Sequence, residues 1–161
     1  MILSVRRLQR FAQFALVVLE AGAYRLAGRD SRTEGAHLLA HDGAGRILVV
    51  RPAYIAAEWM LPGGAVQRDE TPHHGAERET EEETGMRAVA TRLLLIDARR
   101  SRNVSFVFAG ELHGGTLRPQ PGEIAAVNFV AREEIRATSP RLESLLRQID
   151  DVDGTPVYLR S

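Results

Sequence analysis

Apolar and polar residues alternate along the chain in short blocks, and most of these blocks have the period of β-strands. Two apolar runs, 36–40 and 47–51, flank the polar stretch His41–Arg46, which contains the dipeptide Asp42-Gly43. An Asp-Gly turn between two apolar runs predicts a β-hairpin. Further strand-like runs cover residues 59–61, 89–98, 104–112, 125–130 and 155–159.

Three other blocks have helical features. Thr71 is a predicted N-cap with Pro72 in the first turn, and Gly85 is a predicted C-cap, so one helix is expected between them. A short helical turn is predicted at 132–135 and a final helix at 140–149. Helices and strands mixed in this order, with several strands in hairpin succession, predict an α/β fold of the α+β or α/β/α-sandwich kind.

The first part of the chain, residues 1–28, predicts an N-terminal amphipathic helix that precedes a domain over residues 29–161. Arginines precede the apolar run 11–19, and polar residues form a stripe beside it. The run contains Gln13 and is too short to span a bilayer. A helix docked on its own domain or on a second subunit is the first interpretation. A peripheral membrane anchor and a cleaved signal sequence are the alternatives.

Composition limits the classes of partner. The chain has 161 residues, with 44% apolar and 26% charged residues, which suits one globular domain with a core. Its 21 basic and 21 acidic residues give a formal net charge of zero, so no overall field attracts nucleic acid. The absence of cysteine excludes disulfides, thiolate metal sites and a cysteine nucleophile. We expect a cytoplasmic protein.

The most informative stretch is 64–86, in which a glycine turn leads into a helix rich in carboxylates. Glu79, Glu82 and Glu83 occupy positions i, i+3 and i+4 and therefore share one helical face. Like charges at this spacing cost about 0.2–0.5 kcal/mol per pair on an isolated helix, so a positive partner is expected. A hard divalent cation with oxygen ligands is the candidate that this set of donors favours.

These residues resemble the Nudix box, G-x5-E-x7-R-E-U-x-E-E-x-G-U, where U is an aliphatic residue. Every charged and glycine position is in register over 23 contiguous residues. The matching residues are Gly64, Glu70, Arg78, Glu79, Glu82, Glu83, Gly85 and Met86. Thr80 departs from the pattern, because it stands where the first aliphatic residue belongs. The resemblance implies a Nudix-type α/β/α sandwich with a mixed β-sheet. Segments beside the box and at the C-terminus resemble uncharacterised actinobacterial members of the family.

The resemblance also implies a catalytic and metal-binding set. Glu70 would pair with Arg78 and brace the loop against the helix, whereas Glu77 and Glu81 are interpreted as solvated. Glu123, outside the box, is the best candidate for a further ligand or base. The implied catalytic residues are Glu70, Arg78, Glu79, Glu82, Glu83 and Glu123. The implied ligands of Mg²⁺, or alternatively Mn²⁺, are the Gly64 carbonyl and the carboxylates of Glu79, Glu82, Glu83 and Glu123.

Candidates for substrate contact lie before the box and in a basic loop further along the chain. In the resembling enzymes the first region faces the substrate, and glycine lets the backbone approach a ligand closely. The arginines of the basic loop could bind phosphates, with a solvated turn as the alternative. The predicted substrate-binding residues are Arg51, Tyr54, Gly63, Arg99, Arg100 and Arg102. Trp59 is assigned to core packing rather than to base stacking.

The resemblance implies an enzyme that uses water to split a diphosphate linked to another moiety, often a nucleoside. We therefore expect a Mg²⁺-dependent hydrolase of a small-molecule, nucleoside-diphosphate-linked substrate, with no nucleic-acid or membrane partner and with a homodimer as an open alternative to a monomer. A Nudix-fold module that binds a nucleotide without turnover is one competing hypothesis, and a hydrolase of lipid-like diphosphates is another. The substrate itself stays open, because specificity lies in loops outside the box.

Overall fold

The computed structural model describes residues 33–53, 58–100, 103–151 and 154–160, and for Arg100 the backbone alone. The strands are β1 (Thr33–Ala40), β2 (Ile47–Pro52), β3 (Gly63–Ala65), β4 (Met86–Arg100), β5 (Asn103–Gly115), β6 (Ile124–Val130) and β7 (Val157–Arg160). The helices are α1 (Pro72–Thr84), α2 (Arg132–Thr138) and α3 (Pro140–Asp150). The predicted N-terminal helix lies outside the described residues. Within the described ranges, no helix is long and apolar enough to cross a bilayer.

The described strands form two sheets. Five strands lie in the order β3-β1-β5-β4-β7, and β2 pairs with β6. In the larger sheet β1 is parallel to β5 and β7 is parallel to β4, whereas the remaining pairs are antiparallel. The predicted mixed sheet is therefore confirmed.

The predicted hairpin of β1 and β2 is correct at its turn and wrong beyond it. The Asp42 carboxylate accepts hydrogen bonds from the backbone amides of Ala44 (3.0 Å) and Arg46 (2.9 Å), which closes the turn. After one bridge between His41 and Ile47 the two strands diverge into different sheets. The last three residues of β1 and the first four of β2 are buried. Strands buried on both faces lie between layers, and each of these pairs with a strand from later in the chain.

The segment that follows β2 crosses from one sheet to the other. Met60 forms an isolated bridge to Val50 of β2, and the Pro62 carbonyl then accepts a hydrogen bond from the Leu38 amide of β1 (3.0 Å). The strand predicted at 59–61 is thus reduced to a single bridge, because the chain leaves one sheet and joins the next within a few residues. The crossing places β3 at the edge of the larger sheet, directly before α1.

Helices cover both faces of the larger sheet. On one face Ala76 of α1 packs in a cluster with Leu38 and Ala88. On the other, Ile135 and Leu146 from α2 and α3 belong to a second cluster that also contains strand residues. Alternate residues of β1 contribute to the two clusters, as the two-residue period of a strand requires. The predicted α/β/α arrangement is confirmed.

A buried carboxylate joins α2 to α3. Glu143, with a side chain that is 7% exposed, accepts hydrogen bonds from Arg132 Nε (2.7 Å) and Arg147 Nε (2.8 Å). Arg132 also pairs with Asp150 at 3.0 Å. The hydrogen bond from Arg132, followed by that from Arg147, lowers the pKa of Glu143 from 4.5 to about 2. The charged form of Glu143 is therefore the one that the folded helix pair stabilises.

We predict that Glu143 contributes stability only where it is ionised in the folded state. Because its folded pKa is depressed, the contribution is complete above about pH 4.5 and is lost as the pH falls towards about 2. Glu143→Gln should therefore lower the urea midpoint of unfolding at pH 7, and the difference from wild type should shrink progressively between pH 4.5 and pH 2. The matched control is Glu133→Gln, an exposed position on α2. A difference that is equally large at pH 7 and pH 2.5 would contradict the prediction.

Candidate active site

Helix α1 presents the acidic residues, and its ends lie where the sequence predicts them. Thr71 is the N-cap residue with Pro72 in the first turn, and the helix ends at the C-cap Gly85. Thr80, which departs from the aliphatic pattern, is fully buried, and its hydroxyl donates to the Ala76 carbonyl (2.7 Å). The helix thus satisfies the hydroxyl internally, so that a threonine is accommodated at this core position.

Arg78 is the electrostatic centre of the acidic helix face. Its Nε and Nη2 donate to the two oxygens of Glu70 at 3.0 and 2.7 Å, in the bidentate geometry that a guanidinium favours. Its Nη1 donates to Glu79 (2.9 Å) and to Glu82 (3.0 Å), and Nη2 also reaches the Ala65 carbonyl (3.1 Å). The expected contact of Glu70 with Arg78 is present, and Arg78 supplies part of the positive charge that the carboxylate spacing requires.

The same contacts shift the proton affinities of their members. The hydrogen bond from Arg78 is the main reason that the pKa of Glu70 is lowered. Hydrogen bonding to Glu70 in turn raises the pKa of Arg78. This pair is therefore fully charged at neutral pH, as a structural brace between loop and helix requires.

Glu83 is the most deeply buried acidic residue of this face, with 7% exposure. One carboxylate oxygen accepts a hydrogen bond from the Gly63 amide at 2.8 Å. Burial raises the pKa of Glu83 to about 8, and the negative charges of Glu79, Glu123 and Glu82 add to this effect. Burial also raises the pKa of Glu79, against the opposing hydrogen bond from Arg78. The fold therefore holds several carboxyls close together at a cost in electrostatic energy.

The segment 116–120 completes the C-terminal end of α1. Three alternate backbone amides of this segment donate to three successive carbonyls at the helix end. The pairs are Thr116 with Gly85 (3.3 Å), Arg118 with Thr84 (2.8 Å) and Gln120 with Glu83 (3.2 Å). The last carbonyls of a helix have no partner within it, so these contacts satisfy them. Pro119 falls between two donors, where no amide is required.

The turn after this segment brings Glu123 towards the helix. The Ile124 amide donates to the Gln120 carbonyl (3.1 Å), and the Glu123 carbonyl accepts from the Ala53 amide at the end of β2 (2.8 Å). After burial, the negative charge of Glu123 contributes to raising the pKa of both Glu79 and Glu83, so its carboxylate is close enough to interact with theirs. The structure thus brings Glu123 to the box residues, and its role as a ligand or base stays a prediction.

The two glycines before the helix permit a close approach to these acids. Gly63 has φ +150°, and a Cβ there would clash with the Ala36 carbonyl oxygen and would lie 2.5 Å from Nδ1 of His37. A Cβ on Gly64 would lie 2.6 Å from the carboxyl carbon of Glu79. Gly63 has no room for a side chain because backbone atoms of β1 surround it, whereas a Cβ on Gly64 would require the flexible Glu79 carboxyl group to move. The glycine edge, Gly63 and Gly64, therefore packs closely against the acidic helix face.

Of the predicted substrate-binding residues, Arg51 lies near the end of β2. Its guanidinium carbon lies 4.1 Å from the ring centroid of Trp59. Trp59 is 6% exposed and belongs to the hydrophobic core, as the sequence analysis assigned it. Its backbone amide donates to the buried hydroxyl of Ser139, at the junction of α2 and α3 (2.8 Å). Arg51 is thus supported by an aromatic ring that the core holds in place.

The basic loop is placed differently. Arg99 forms a bidentate pair with Asp97, with distances of 3.0 and 2.7 Å. It also lines a surface depression with residues of α3, including Pro140 and Ser144. Its contacts in the described part of the chain are with β4 and α3 rather than with the acids of α1, and its role in phosphate binding stays a prediction. Tyr54, Arg102 and the side chain of Arg100 lie outside the described residues.

Two features of the site could not be foreseen from local patterns. Glu77, interpreted as solvated, accepts a hydrogen bond from the Ala90 amide of β4 (2.8 Å), so that interpretation is wrong. The pairing of β4 with β5 shifts register after Ala90, and Glu77 satisfies an amide at this irregularity. Glu58 lies with Arg51 in the region that faces the substrate in the resembling enzymes. One of its carboxylate oxygens is buried without a hydrogen-bond partner, which local patterns do not indicate.

The acidic side chains of the site are not yet arranged around a cation. In the described ranges, no three acidic or histidine side chains already surround a common point that could hold an ion. Arg78 contacts one oxygen each of Glu79 and Glu82. The chemistry of the donors nevertheless fits a hard cation, because carboxylate oxygens are its preferred ligands. Burial, followed by repulsion from the neighbouring carboxylates, raises the pKa of Glu83 and so favours a positive partner for its charged form.

Similarity to known proteins decides the family. A model of the NUDIX domain matches residues 31–149. The chain belongs to the Nudix family. It is 34% identical over 118 residues to a MutT-like protein of Streptomyces ambofaciens, covering 73% of this chain and 75% of that protein. The predicted enzyme class, a Nudix pyrophosphohydrolase, is confirmed.

Solved structures agree with this Nudix assignment. A UDP-X diphosphatase superposes with a TM-score of 0.64 at 26% identity, covering 87% of this chain and 74% of the other. An ADP-ribose pyrophosphatase from Streptococcus suis has a TM-score of 0.63 at 18% identity, covering 81% of this chain and all of the other (100%). The second likeness shows the fold alone.

We predict that Gly63→Ala disrupts the glycine edge. The new methyl group would clash with β1 and force an unfavourable φ, at a cost of about 1–3 kcal/mol, and it would displace the amide that binds Glu83. Thermal unfolding and diphosphate hydrolysis should both be impaired. Gly43→Ala is the matched control, since a Cβ there meets nothing within 4 Å. Equal stability and activity of the two variants would contradict the packing described.

Proposed function

We propose that this Nudix enzyme is a divalent-metal-dependent hydrolase that splits a diphosphate linkage in a small, nucleoside-diphosphate-linked substrate, with water as the nucleophile. The observation that carries the proposal is the gathering of acids at the glycine edge. Glu83 is held there by the Gly63 amide, and the charges of Glu79, Glu82 and Glu123 all act on it. Such a concentration of carboxylates favours a cation and the phosphate oxygens that it would bind.

The residues proposed to hold Mg²⁺, or Mn²⁺ in its place, belong to the box and to the turn after segment 116–120. They are the Gly64 carbonyl and the carboxylates of Glu79, Glu82, Glu83 and Glu123. When bound, a divalent cation neutralises diphosphate oxygens and lowers the pKa of a water molecule. The protein would then have two tasks: its side chains would hold the cation and the substrate in position, and one of them would accept the proton of the attacking water.

Arg78 has a defined part in this proposal. Arg78 Nη1 binds one oxygen each of Glu79 and Glu82, which leaves the other oxygen of each carboxylate for a cation. The bidentate contact with Glu70 uses Nε and Nη2, so it can keep Arg78 in place beside the two acids. Glu70 and Arg78 are therefore proposed as positioning residues, and Glu123 is the candidate for a general base or a further ligand.

The proposed substrate class has two supports. The UDP-X diphosphatase, which is 26% identical to this chain, is named for a diphosphate that carries a nucleoside. In this chain Pro52, the residue after Arg51, pairs with Ile124, and the Ala53 amide binds the Glu123 carbonyl, so the backbone that carries Arg51 runs beside the backbone that carries Glu123. Arg51 and the Gly63 backbone are accordingly proposed as substrate contacts.

We predict that Glu82→Gln and Glu83→Gln each lower metal-dependent turnover by about 100-fold or more, because each removes one carboxylate from the proposed set. The measurement is phosphate release with Mg²⁺ over a panel of nucleoside triphosphates, nucleotide sugars, dinucleotides and prenyl diphosphates, with and without EDTA. Both variants should keep a cooperative thermal transition. Glu81→Gln, an exposed position on the same helix, is the control and should retain wild-type turnover. Full activity of Glu82→Gln would show that the metal assignment is wrong.

A further inference from the structure

Glu77 links α1 to the larger sheet on the side away from the glycine edge. Its Oε1 accepts a hydrogen bond from the Ala90 amide of β4 at 2.8 Å. The register of β4 with β5 shifts between Ala90 and Arg92, which makes this point a β-bulge. The half-buried carboxylate of Glu77 thus satisfies an amide where the hydrogen bonding of the sheet itself is disrupted.

Other side-chain contacts hold α1 at the opposite edge of the same sheet. The Gly63 amide donates to Glu83, and Arg78 donates to the Ala65 carbonyl, so both contacts are made with β3. Strands β1 and β5 lie between β3 and β4. Because neighbouring strands are about 4.8 Å apart, the two anchoring strands are separated by roughly 14 Å. Helix α1 is therefore fastened to the sheet on both sides of its axis.

The buried centre of the contact between α1 and the sheet is built from short side chains. Among the described residues, four of the five buried members of this cluster are alanines. The five are Ala36, Leu38, Ala40, Ala76 and Ala88. Short side chains allow a helix to approach a sheet closely, but they interdigitate little. The directional hydrogen bonds at the two sides are then the contacts that set the roll of α1, which is its rotation about its own axis.

The roll of α1 decides where its acids point. Glu77 and Glu79 are two residues apart and therefore lie about 160° apart around the helix axis. A carboxylate about 5–6 Å from the axis moves by about 1 Å when the helix rolls by about 10°. A displacement of about 1 Å in a catalytic site can lower the rate about 100-fold. The bond on β4 therefore acts on acids that Glu77 does not touch.

We propose that Glu77 is a positioning residue: its hydrogen bond to the Ala90 amide fixes the roll of α1 and thereby the directions of Glu79 and Glu83. This inference rests on the proposed function, in which those acids would hold a divalent cation. Glu77 acts through the helix backbone, since its contact is with β4. The contact requires an acceptor oxygen, which glutamine also carries, and no negative charge.

Four variants separate positioning from a general structural role. Glu77→Met removes the acceptor, whereas Glu77→Gln keeps it, and the three residue types have similar helix propensities. Glu81→Met makes the same exchange at an exposed position of α1 and is the matched control. Glu143→Gln removes the ionised partner between α2 and α3 and controls for a loss of stability elsewhere in the fold.

The first measurement is a ¹⁵N–¹H NMR spectrum of each full-length variant in EDTA. Glu77→Met should move the amide proton resonance of Ala90 upfield, because that amide loses its carboxylate acceptor. It should also move the Gly63 resonance upfield, because a rolled helix draws Glu83 away from the Gly63 amide. Glu77→Gln and both controls should leave the Gly63 resonance near its wild-type position.

The second measurement combines Mn²⁺ binding, followed by electron paramagnetic resonance of the free ion, with steady-state kinetics on the fastest substrate of the phosphate-release panel. Glu77→Met should weaken Mn²⁺ binding by about 10-fold and lower kcat by about 10- to 100-fold, with KM changed by less than about threefold. Glu77→Gln should restore all three values to within about threefold of wild type. The Glu81→Met and Glu143→Gln controls should match wild type at a temperature well below their unfolding transitions.

Each other outcome contradicts one of the two proposals. A Glu77→Met variant that shifts only the Ala90 resonance and keeps wild-type Mn²⁺ binding and kcat would reduce Glu77 to a structural contact. Equal impairment of Glu77→Gln, or of Glu143→Gln, would also overturn the positioning role. A wild type that neither binds Mn²⁺ nor releases phosphate, but in which Glu77→Met shifts both amides, would overturn the proposed function and retain the control of helix roll. Thermal melts verify folding, and Glu77→Asp, which withdraws the acceptor by one methylene, replaces Glu77→Met if the latter does not fold.

Discussion

The hydrogen bond from the Gly63 amide to the Glu83 carboxylate connects the two parts of the site. Gly63 lies at the edge of the larger sheet, and Glu83 lies in the last turn of a helix that begins nine residues after Gly63. Burial and neighbouring negative charges both favour the protonated form of Glu83, and this amide opposes them. The acidic face can approach the sheet closely because glycine leaves the amide accessible, and the remaining contacts of the site follow from that approach.

Part of the negative charge on the acidic helix face is compensated by the protein itself, through Arg78. Arg78 distributes its five donor hydrogens over the loop acid Glu70, the helix acids Glu79 and Glu82, and a backbone carbonyl. Two of its nitrogens bind Glu70 in a fork, whereas a single nitrogen serves both helix acids. The helix acids are therefore held less firmly than Glu70. The protein can fold with its charges compensated and still keep the ligands of the helix exchangeable.

Local patterns predicted much of the fold and part of the site. The caps of α1 and the long strands β4 and β5 follow from local patterns along the chain, and the contact of Glu70 with Arg78 was implied by the resemblance to the Nudix box. The structure contains all of them. The separation of β1 from β2 does not follow, because it depends on β5 and β6, which come much later in the chain. The contact of Trp59 with Ser139 joins residues 80 positions apart and has no local signature. The misassignment of Glu77 has the same origin, since its partner is an amide at a register shift between two other strands.

The anchoring of segment 116–120 restricts how this part of the chain can vary in length. Its donors are every second amide, because neighbouring amides of an extended chain point in opposite directions. An insertion of one residue would turn the following donors away from the helix carbonyls, whereas an insertion of two would restore their direction. Insertions or deletions of an even number of residues in this segment therefore keep its amides directed at the helix carbonyls, and the segment still leads to Glu123 in the same way. Changes by an odd number of residues do not.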